Sequence, residues 1–374
     1  MTAPGRTARV TVVPLSLPMR RRQLIVIAVV AALGWSVARA LPPPAAPTLQ
    51  GLAAARGLRW GSAVTNDQLR DPGLRRLVSE QSGLIVPESE LKWDGVEAAP
   101  GRFDFSAPDR LLAFARAQGL AMRGHTLVWH EQLPAWVKAL PPAELDRAMA
   151  TYIRTVVGHY RGQLPSWDVV NEPIADDGSG LRRSLWLERL GPDYIARALT
   201  RAHQADPQAA LVINEYGLEG DDAKTARKRQ AFLTLLRQLR QSGVPLNAVG
   251  LQAHLYANGS GPTTFRTLPA FLRELAALDL DILVTELDVN DRELPAAIPE
   301  RDRAVAAVYG AFLAAVLPEP RLKLITTWGL SDRTTWLNAF MPRADGLPQR
   351  PLPFDEDNRP KAATATIQAA LEKR

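Results

Sequence analysis

The chain has 374 residues and no cysteine. That excludes thiol nucleophiles, disulfide cross-links and cysteine-ligated metals, and leaves stability to a large apolar core. No Gly-x-Ser-x-Gly occurs, which argues against a serine hydrolase of the strand-elbow type. No Gly-x-Gly-x-x-Gly follows the first strand-like run, which argues against a dinucleotide-binding sheet. His130-Glu-Gln-Leu-Pro134 lacks the second histidine of a zinc-protease helix and ends in a helix-breaking proline, so no catalytic metal is expected. Net charge is also missing from most of the chain. Residues 1–40 hold six arginines and no acid, so the formal charge of +6 lies entirely there and the remainder balances. A neutral body offers no electrostatic footprint for nucleic acid, and an uncharged substrate is expected.

The longest apolar run, Leu24–Leu33, is ten residues, short of the roughly 20 a membrane span needs. It follows Met19-Arg-Arg-Arg-Gln23 and precedes Ala38-Arg-Ala40, the layout of a secretory signal peptide. Residues 1–40 are therefore expected to be a leader, with Met19 as an alternative start. Arg21-Arg22-Gln-Leu-Ile25 hints at twin-arginine export. The product would be secreted or periplasmic. Leu41-Pro-Pro-Pro-Ala-Ala-Pro47 reads as an extended tether. We expect that tether over 41–52 and a single domain over 53–374.

Eight short apolar runs punctuate the domain: Leu58–Val64, Gly83–Pro87, Ala121–Trp129, Ser166–Asn171, Ala210–Asn214, Ala248–Gln252, Asp281–Thr285 and Leu322–Trp328. Helix-like segments such as Pro108–Gln118, Pro192–Ala205, Ala223–Ser242 and Arg301–Val316 separate most of them. Alternating strands and helices predict parallel strands with right-handed crossovers, and eight units fit an α/β fold of the (β/α)8 barrel type.

Active sites of such barrels form at the C-terminal strand ends. Those ends carry Glu88 and Lys92, then His125, Trp129 and His130, then Asn171 and Glu172, Asn214 and Glu215, Gln252 and His254, Glu286 and Asp288, and Trp328. Glu172 and Glu286 each close an apolar run, where a carboxylate has to be solvated, paired or working. Two such carboxylates at separate strand ends are the equipment of glycosidic-bond hydrolysis, one as proton donor and one as nucleophile. Glu172 would be the acid/base, with Asn171 bonding a sugar hydroxyl, although Asn171-Glu172-Pro173 alone reads equally as a loop turn. His254, held by Asp288, can orient Glu286 and keep it ionised; a structural ion-pair cluster is the other reading. Trp93, Trp129, Trp328 and Trp336 fall at or beyond strand ends and suit sugar faces, whereas Trp60 and Trp186 suit the core.

Taken in order, Glu88-x-x-x-Lys92-Trp93, Gly124-His-Thr-Leu-Val-Trp-His130, Trp167-Asp-Val-Val-Asn-Glu172, Gly250-Leu-Gln-Ala-His254, Thr285-Glu-Leu-Asp288 and Thr327-Trp-Gly-Leu-Ser-Asp332 match one family. From about Arg59 to about Ala363 the chain resembles glycoside hydrolase family 10, the endo-β-1,4-xylanases. The resemblance implies a (β/α)8 barrel and cofactor-free, retaining hydrolysis of xylan. It assigns Glu172 as acid/base and Glu286 as nucleophile. Asn171, His125, Trp129, Lys92, Gln252 and His254 would hold the sugar at the cleavage point, and Glu88, Gln132 and Trp336 the next one out. Trp328 and Ser89 complete the expected substrate contacts. Ser89 stands where the family usually has Asn, and Ile213-Asn-Glu-Tyr-Gly217 where it usually has Ile-Asn-Asp-Tyr-Asn. We expect an exported, monomeric endo-xylanase acting on xylan or xylo-oligosaccharides. A retaining β-glycanase acting on cellulose or mixed-linkage glucan, and a non-catalytic carbohydrate-binding protein, are the alternatives.

Overall fold

A computed structural model describes residues 47–258 and 264–373. The expected leader and the tether up to residue 46 lie outside them. Ten strands occur among the described residues: β1 (Arg59–Val64), β2 (Leu84–Pro87), β3 (Ala121–Met122), β4 (Gly124–Val128), β5 (Ser166–Asn171), β6 (Ala210–Glu215), β7 (Ala248–Leu251), β8 (His254–Tyr256), β9 (Asp281–Asn290) and β10 (Leu322–Thr327). They are hydrogen-bonded in the order β3-β2-β1-β10-β9-β7-β6-β5-β4, with β8 on β9. Every paired neighbour is parallel. The two ends of that ladder, β3 and β4, are separated in the chain by Arg123 alone, and β7 and β8 by Gln252 and Ala253. The sheet therefore closes on one interrupted strand into the expected (β/α)8 barrel, with eight staves.

Strand composition explains why both faces are covered. All six residues of β5 are buried, as a parallel strand between a barrel interior and a helical layer requires. Ala63, Leu84, Val86, Val212, Ala248, Leu283, Leu324 and Trp328 pack together inside the barrel, while a larger apolar cluster fills the space between strands and helices. Helices supply that layer through apolar residues spaced three and four apart. The helix Tyr194–Ala205 buries Tyr194, Ile195, Ala198, Leu199 and Ala202 in this way. Asp222 starts the helix Ala223–Gln241 by accepting from the backbone N–H groups of Lys224 and Thr225. No helix among the described residues is long and apolar enough to cross a membrane.

Three expectations need correction. The tether does not extend to residue 52, because Leu49–Ala54 is an α-helix capped by Thr48 and anchored by the fully buried Leu49. The seventh run does not end at Thr285; β9 continues to Asn290 because β8 gives residues 288–290 a partner. Trp93 is a core residue at 2% exposure rather than a sugar platform. It stacks on Tyr152 with ring centroids 3.9 Å apart, and its indole N–H reaches Glu97 at 3.1 Å. Trp60 and Trp186 are buried as expected.

Candidate active site

Strand β5 delivers Asn171, and the next residue, Glu172, turns into the left-handed region at φ 57°. A non-glycine residue there costs about 1–3 kcal/mol and persists only where its surroundings over-determine it. The Glu172 N–H donates to the Asn214 carbonyl at 2.8 Å, and its own carbonyl accepts from Arg182 Nε at 3.0 Å. The carboxylate then meets three neutral donors. Trp129 Nε1 donates to Oε2 at 2.8 Å, while Asn171 Nδ2 and Gln252 Nε2 donate to Oε1 at 3.1 and 3.0 Å. His130 Nδ1 lies 3.9 Å from Oε2. Burial and the nearby Arg182 guanidinium push the His130 imidazole down to about 4, so it is neutral at ordinary pH.

Glu286 sits within β9, and its surroundings are charged. Its Oε2 is 3.2 Å from His254 Nε2, and His254 Nδ1 is 3.0 Å from Asp288 Oδ1. Glu286 and Asp288 share a strand face because they are two residues apart. Trp336 Nε1 donates to the second Asp288 oxygen at 2.8 Å. Burial opposes ionisation of Glu286, but the His254 hydrogen bond, the His125 and His254 rings and the Asn214 amide outweigh it and bring the carboxyl down to about 2. Burial likewise opposes a charge on His254. The two carboxylates overcome that and hold the imidazole well above its ordinary value. His254 is thus an imidazolium clamped between Asp288 and Glu286.

Asn214, at the end of β6, ties the two halves together. Its Nδ2 donates to Glu286 Oε1 at 2.7 Å and to Asn171 Oδ1 at 2.8 Å, and its Oδ1 accepts from Thr285 Oγ1 at 2.6 Å. Gly250 makes room for it: a Cβ at that position would stand 2.1 Å from Asn214 Oδ1. His125 is oriented by Asp168, whose carboxylate is 2.9 Å from His125 Nδ1 and also takes the buried Arg123 guanidinium. The His125–Thr126 peptide is cis. Lys92 Nζ stands 4.8 Å from the Trp129 ring centroid and 5.9 Å from that of Trp328. Burial lowers the Lys92 pKa, opposed by Glu286, Glu88 and Glu172.

Glu172, Glu286 and most of the groups around them line one cleft of about 710 Å³. Its walls include Lys92, His125, Trp129, Gln132, Asn171, Glu172, Gln252, His254, Glu286, Asp288, Trp328 and Trp336. Glu88 and Ser89 are not among the lining residues. Glu88 accepts from Gln68 Nε2 at 2.8 Å, and burial raises its pKa. Ser89 is exposed. His130, expected at a strand end, also lines the cleft, which contains in addition Asp176, Arg182, Tyr216, Tyr256 and Phe340, side chains that the strand-end pattern did not include. Asn214 was visible as a strand-end polar residue, but its bridging role was not. Asp176 and Arg182 come from a loop without regular pattern, so no periodicity marks them. Chemically, the arrangement pairs a carboxylate fixed as an anion with one surrounded by neutral donors, across a cleft walled by tryptophan.

A sequence model of glycosyl hydrolase family 10 matches residues 48–370. Endo-1,4-beta-xylanase 2 of Claviceps purpurea is 34% identical over 313 residues, covering 83% of this chain and 87% of that protein. Native xylanase 10B of Thermotoga maritima superposes with a TM-score of 0.80 at 31% identity, covering 87% of this chain and 98% of that one. Xylanase 10B of Thermotoga petrophila, solved in complex with xylobiose, gives 0.79 at 30% identity, covering 87% and 97%.

Proposed function

The chain belongs to glycosyl hydrolase family 10, and from that premise we propose that it is an exported, retaining endo-1,4-β-xylanase working by double displacement. The observation that carries the reading is the contrast between the two glutamates. Glu286, lowered to about 2, is an anion at any working pH and suits attack on the anomeric carbon. Glu172, held by Trp129, Asn171 and Gln252, faces the same cleft and would protonate the leaving oxygen. In the first step the Glu286 carboxylate forms a bond to the anomeric carbon as the glycosidic C–O bond breaks, with the Glu172 proton going to the departing sugar. In the second, Glu172 takes a proton from water, the water oxygen bonds the anomeric carbon, and Glu286 leaves. Two inversions give retention.

The xylan assignment draws on the relatives named above, and the tryptophans of the cleft provide apolar faces for sugar rings. Reducing-sugar release from xylan, with little from carboxymethyl-cellulose, is the expected outcome. The reverse ratio would favour a glucan-directed enzyme, and no release from either a binding protein. NMR of the first product should show the β-anomer before mutarotation; the α-anomer first would contradict retention. The export reading rests on residues 19–40, with a mature N-terminus near Leu41 expected by N-terminal sequencing.

A further inference from the structure

Strand β6 leads into Glu215-Tyr-Gly-Leu-Glu219, and both carboxylates of this short segment are buried, at 0% and 3% exposure. Buried carboxylates are expensive unless fully partnered. Here each spends its oxygens on backbone. Glu215 Oε2 accepts from the Ile174 N–H at 2.9 Å and Oε1 from the Tyr216 N–H at 3.1 Å. Glu219 Oε1 accepts from the Ala253 N–H at 2.9 Å and Oε2 from the Leu218 N–H at 2.8 Å. The two long-range contacts reach two different stretches that carry site residues. Ile174 lies two residues past Glu172, and Ala253 lies between Gln252 and His254. Ala253 is itself left-handed at φ 61°, matching Glu172 at 57°. Closing a surface loop does not call for two buried carboxyl groups, whereas keeping two strained turns in register does.

We propose that Glu215 and Glu219 are positioning residues, the first holding the turn that aims Glu172 and the second the turn that aims Gln252 and His254. The proposal rests on the roles given above to Glu172 and Glu286. Glu215 has a further connection. Lys228 Nζ lies 2.9 Å from Glu215 Oε1 and 3.6 Å from the centroid of the Tyr216 ring. The Tyr216 hydroxyl in turn meets Asp176 and, at 2.8 Å, Arg182 Nη2, the residue that also holds the Glu172 carbonyl. Charged and titratable groups facing Glu215 are thus Lys228 from the following helix, Tyr194 from the preceding one, Tyr216 beside it and Glu172 across from it, with Asp176 and Arg182 behind Tyr216. Burial pushes the Glu215 carboxyl up, and Lys228 pulls it back. On the alkaline side it is therefore an anion paired with Lys228. Removing that anion takes away a negative charge facing Glu172, which makes a charge on Glu172 less costly.

The test compares Glu215→Gln and Glu219→Gln on xylan and on an aryl β-xylobioside with a dinitrophenyl leaving group. Glu215→Gln should lower kcat on xylan roughly 10- to 100-fold, the scale of a misplaced catalytic group. It should spare the dinitrophenol burst, which needs no proton donor, and move the alkaline limb of kcat/KM to lower pH. Glu219→Gln should slow both substrates alike, because it disturbs His254 behind the nucleophile as well as Gln252 on Glu172, and leave that limb in place. Equal losses on both substrates in both variants, with an unmoved limb, would reduce the pair to loop structure and overturn the proposal. So would wild-type rates. If Glu215→Gln does not fold, Glu215→Asp carries the same test: charge retained at shorter reach should keep the limb while still hurting xylan more than the aryl substrate, and equal loss would overturn it. Absence of wild-type turnover on both substrates is a separate outcome that removes the reaction assigned above, and the positioning roles with it.

Discussion

Glu172 and Glu286 are the same residue type at one mouth of the barrel, on strands separated by β6 and β7, yet the fold treats them in opposite ways. Glu286 lies in a continuous strand, its side chain 6% exposed, against an imidazolium backed by a second carboxylate. Glu172 lies off the end of its strand in a strained turn, its side chain 12% exposed, against the neutral N–H groups of an indole and two amides. One carboxylate faces a full opposite charge, whereas the other receives hydrogen bonds from neutral groups alone. The difference teaches that role is assigned by the neighbours of a carboxylate rather than by the carboxylate.

The largest effect should come from breaking the fixed arm. Glu286→Ala should reduce turnover of xylan and of aryl xylobiosides alike by at least about 10⁴-fold, since no covalent intermediate can form. Steady-state rates on both substrates check this, and appreciable residual activity on either would remove Glu286 from the nucleophile's role. Breaking the other arm should give an unequal result. Glu172→Ala should cost about 10²- to 10⁴-fold on xylan, yet still release a burst of dinitrophenol before slow deglycosylation. Equal loss on activated and unactivated substrates would make the two arms alike and end the comparison.

His254→Ala sharpens the contrast instead of breaking it. The Glu286 carboxyl is held at about 2 in spite of burial, chiefly by His254. Without the ring, burial acts with less opposition, so the carboxyl rises and becomes protonated at a higher pH. The acid limb of kcat/KM should therefore move upward into or above the ordinary carboxylate range around 4. Maximal rate should fall, while thermal unfolding stays cooperative. An unmoved acid limb would show that Asn214 and His125 suffice to hold the charge.

The sequence disclosed one of these environments better than the other. Glu286, Asp288 and His254 could be grouped because a two-residue spacing on a strand puts side chains on one face, and neighbouring strand ends are adjacent in a barrel. The environment of Glu172 depends on a left-handed backbone and on Arg182, reached across an irregular loop, and neither leaves a periodic trace. The same reasoning placed β5 to the residue, because Trp167, Val169 and Val170 mark the run and Pro173 closes it just beyond Asn171. It stopped β9 too soon, because the partner that prolongs that strand, β8, is only three residues long. Trp93 was misplaced for a related reason: proximity to a strand end says nothing about which way an indole turns, and here Tyr152 offers it a stacking face in the core.

If the chemistry belongs to the two arms, a change outside the cleft wall should matter far less, and Ser89 offers that control. It is exposed, outside the cleft wall, with its N–H 3.4 Å from the Glu90 carboxylate. A serine hydroxyl there is short and reaches a sugar beyond the cleaved unit only through water, whereas asparagine offers both a donor and an acceptor on a longer arm. One added neutral hydrogen bond is worth about 0.5–1.5 kcal/mol, roughly two- to tenfold in rate. Because contacts to remote sugars help position the reacting ring, Ser89→Asn should raise kcat/KM on xylotriose and xylotetraose by that order. Long xylan should gain less, since contacts elsewhere along the cleft already hold it. Kinetics on the two oligosaccharides decide the matter: an unchanged kcat/KM on both would put Ser89 outside the path of the substrate, and a gain far above tenfold would mean that the rim shares in work assigned here to Glu172 and Glu286.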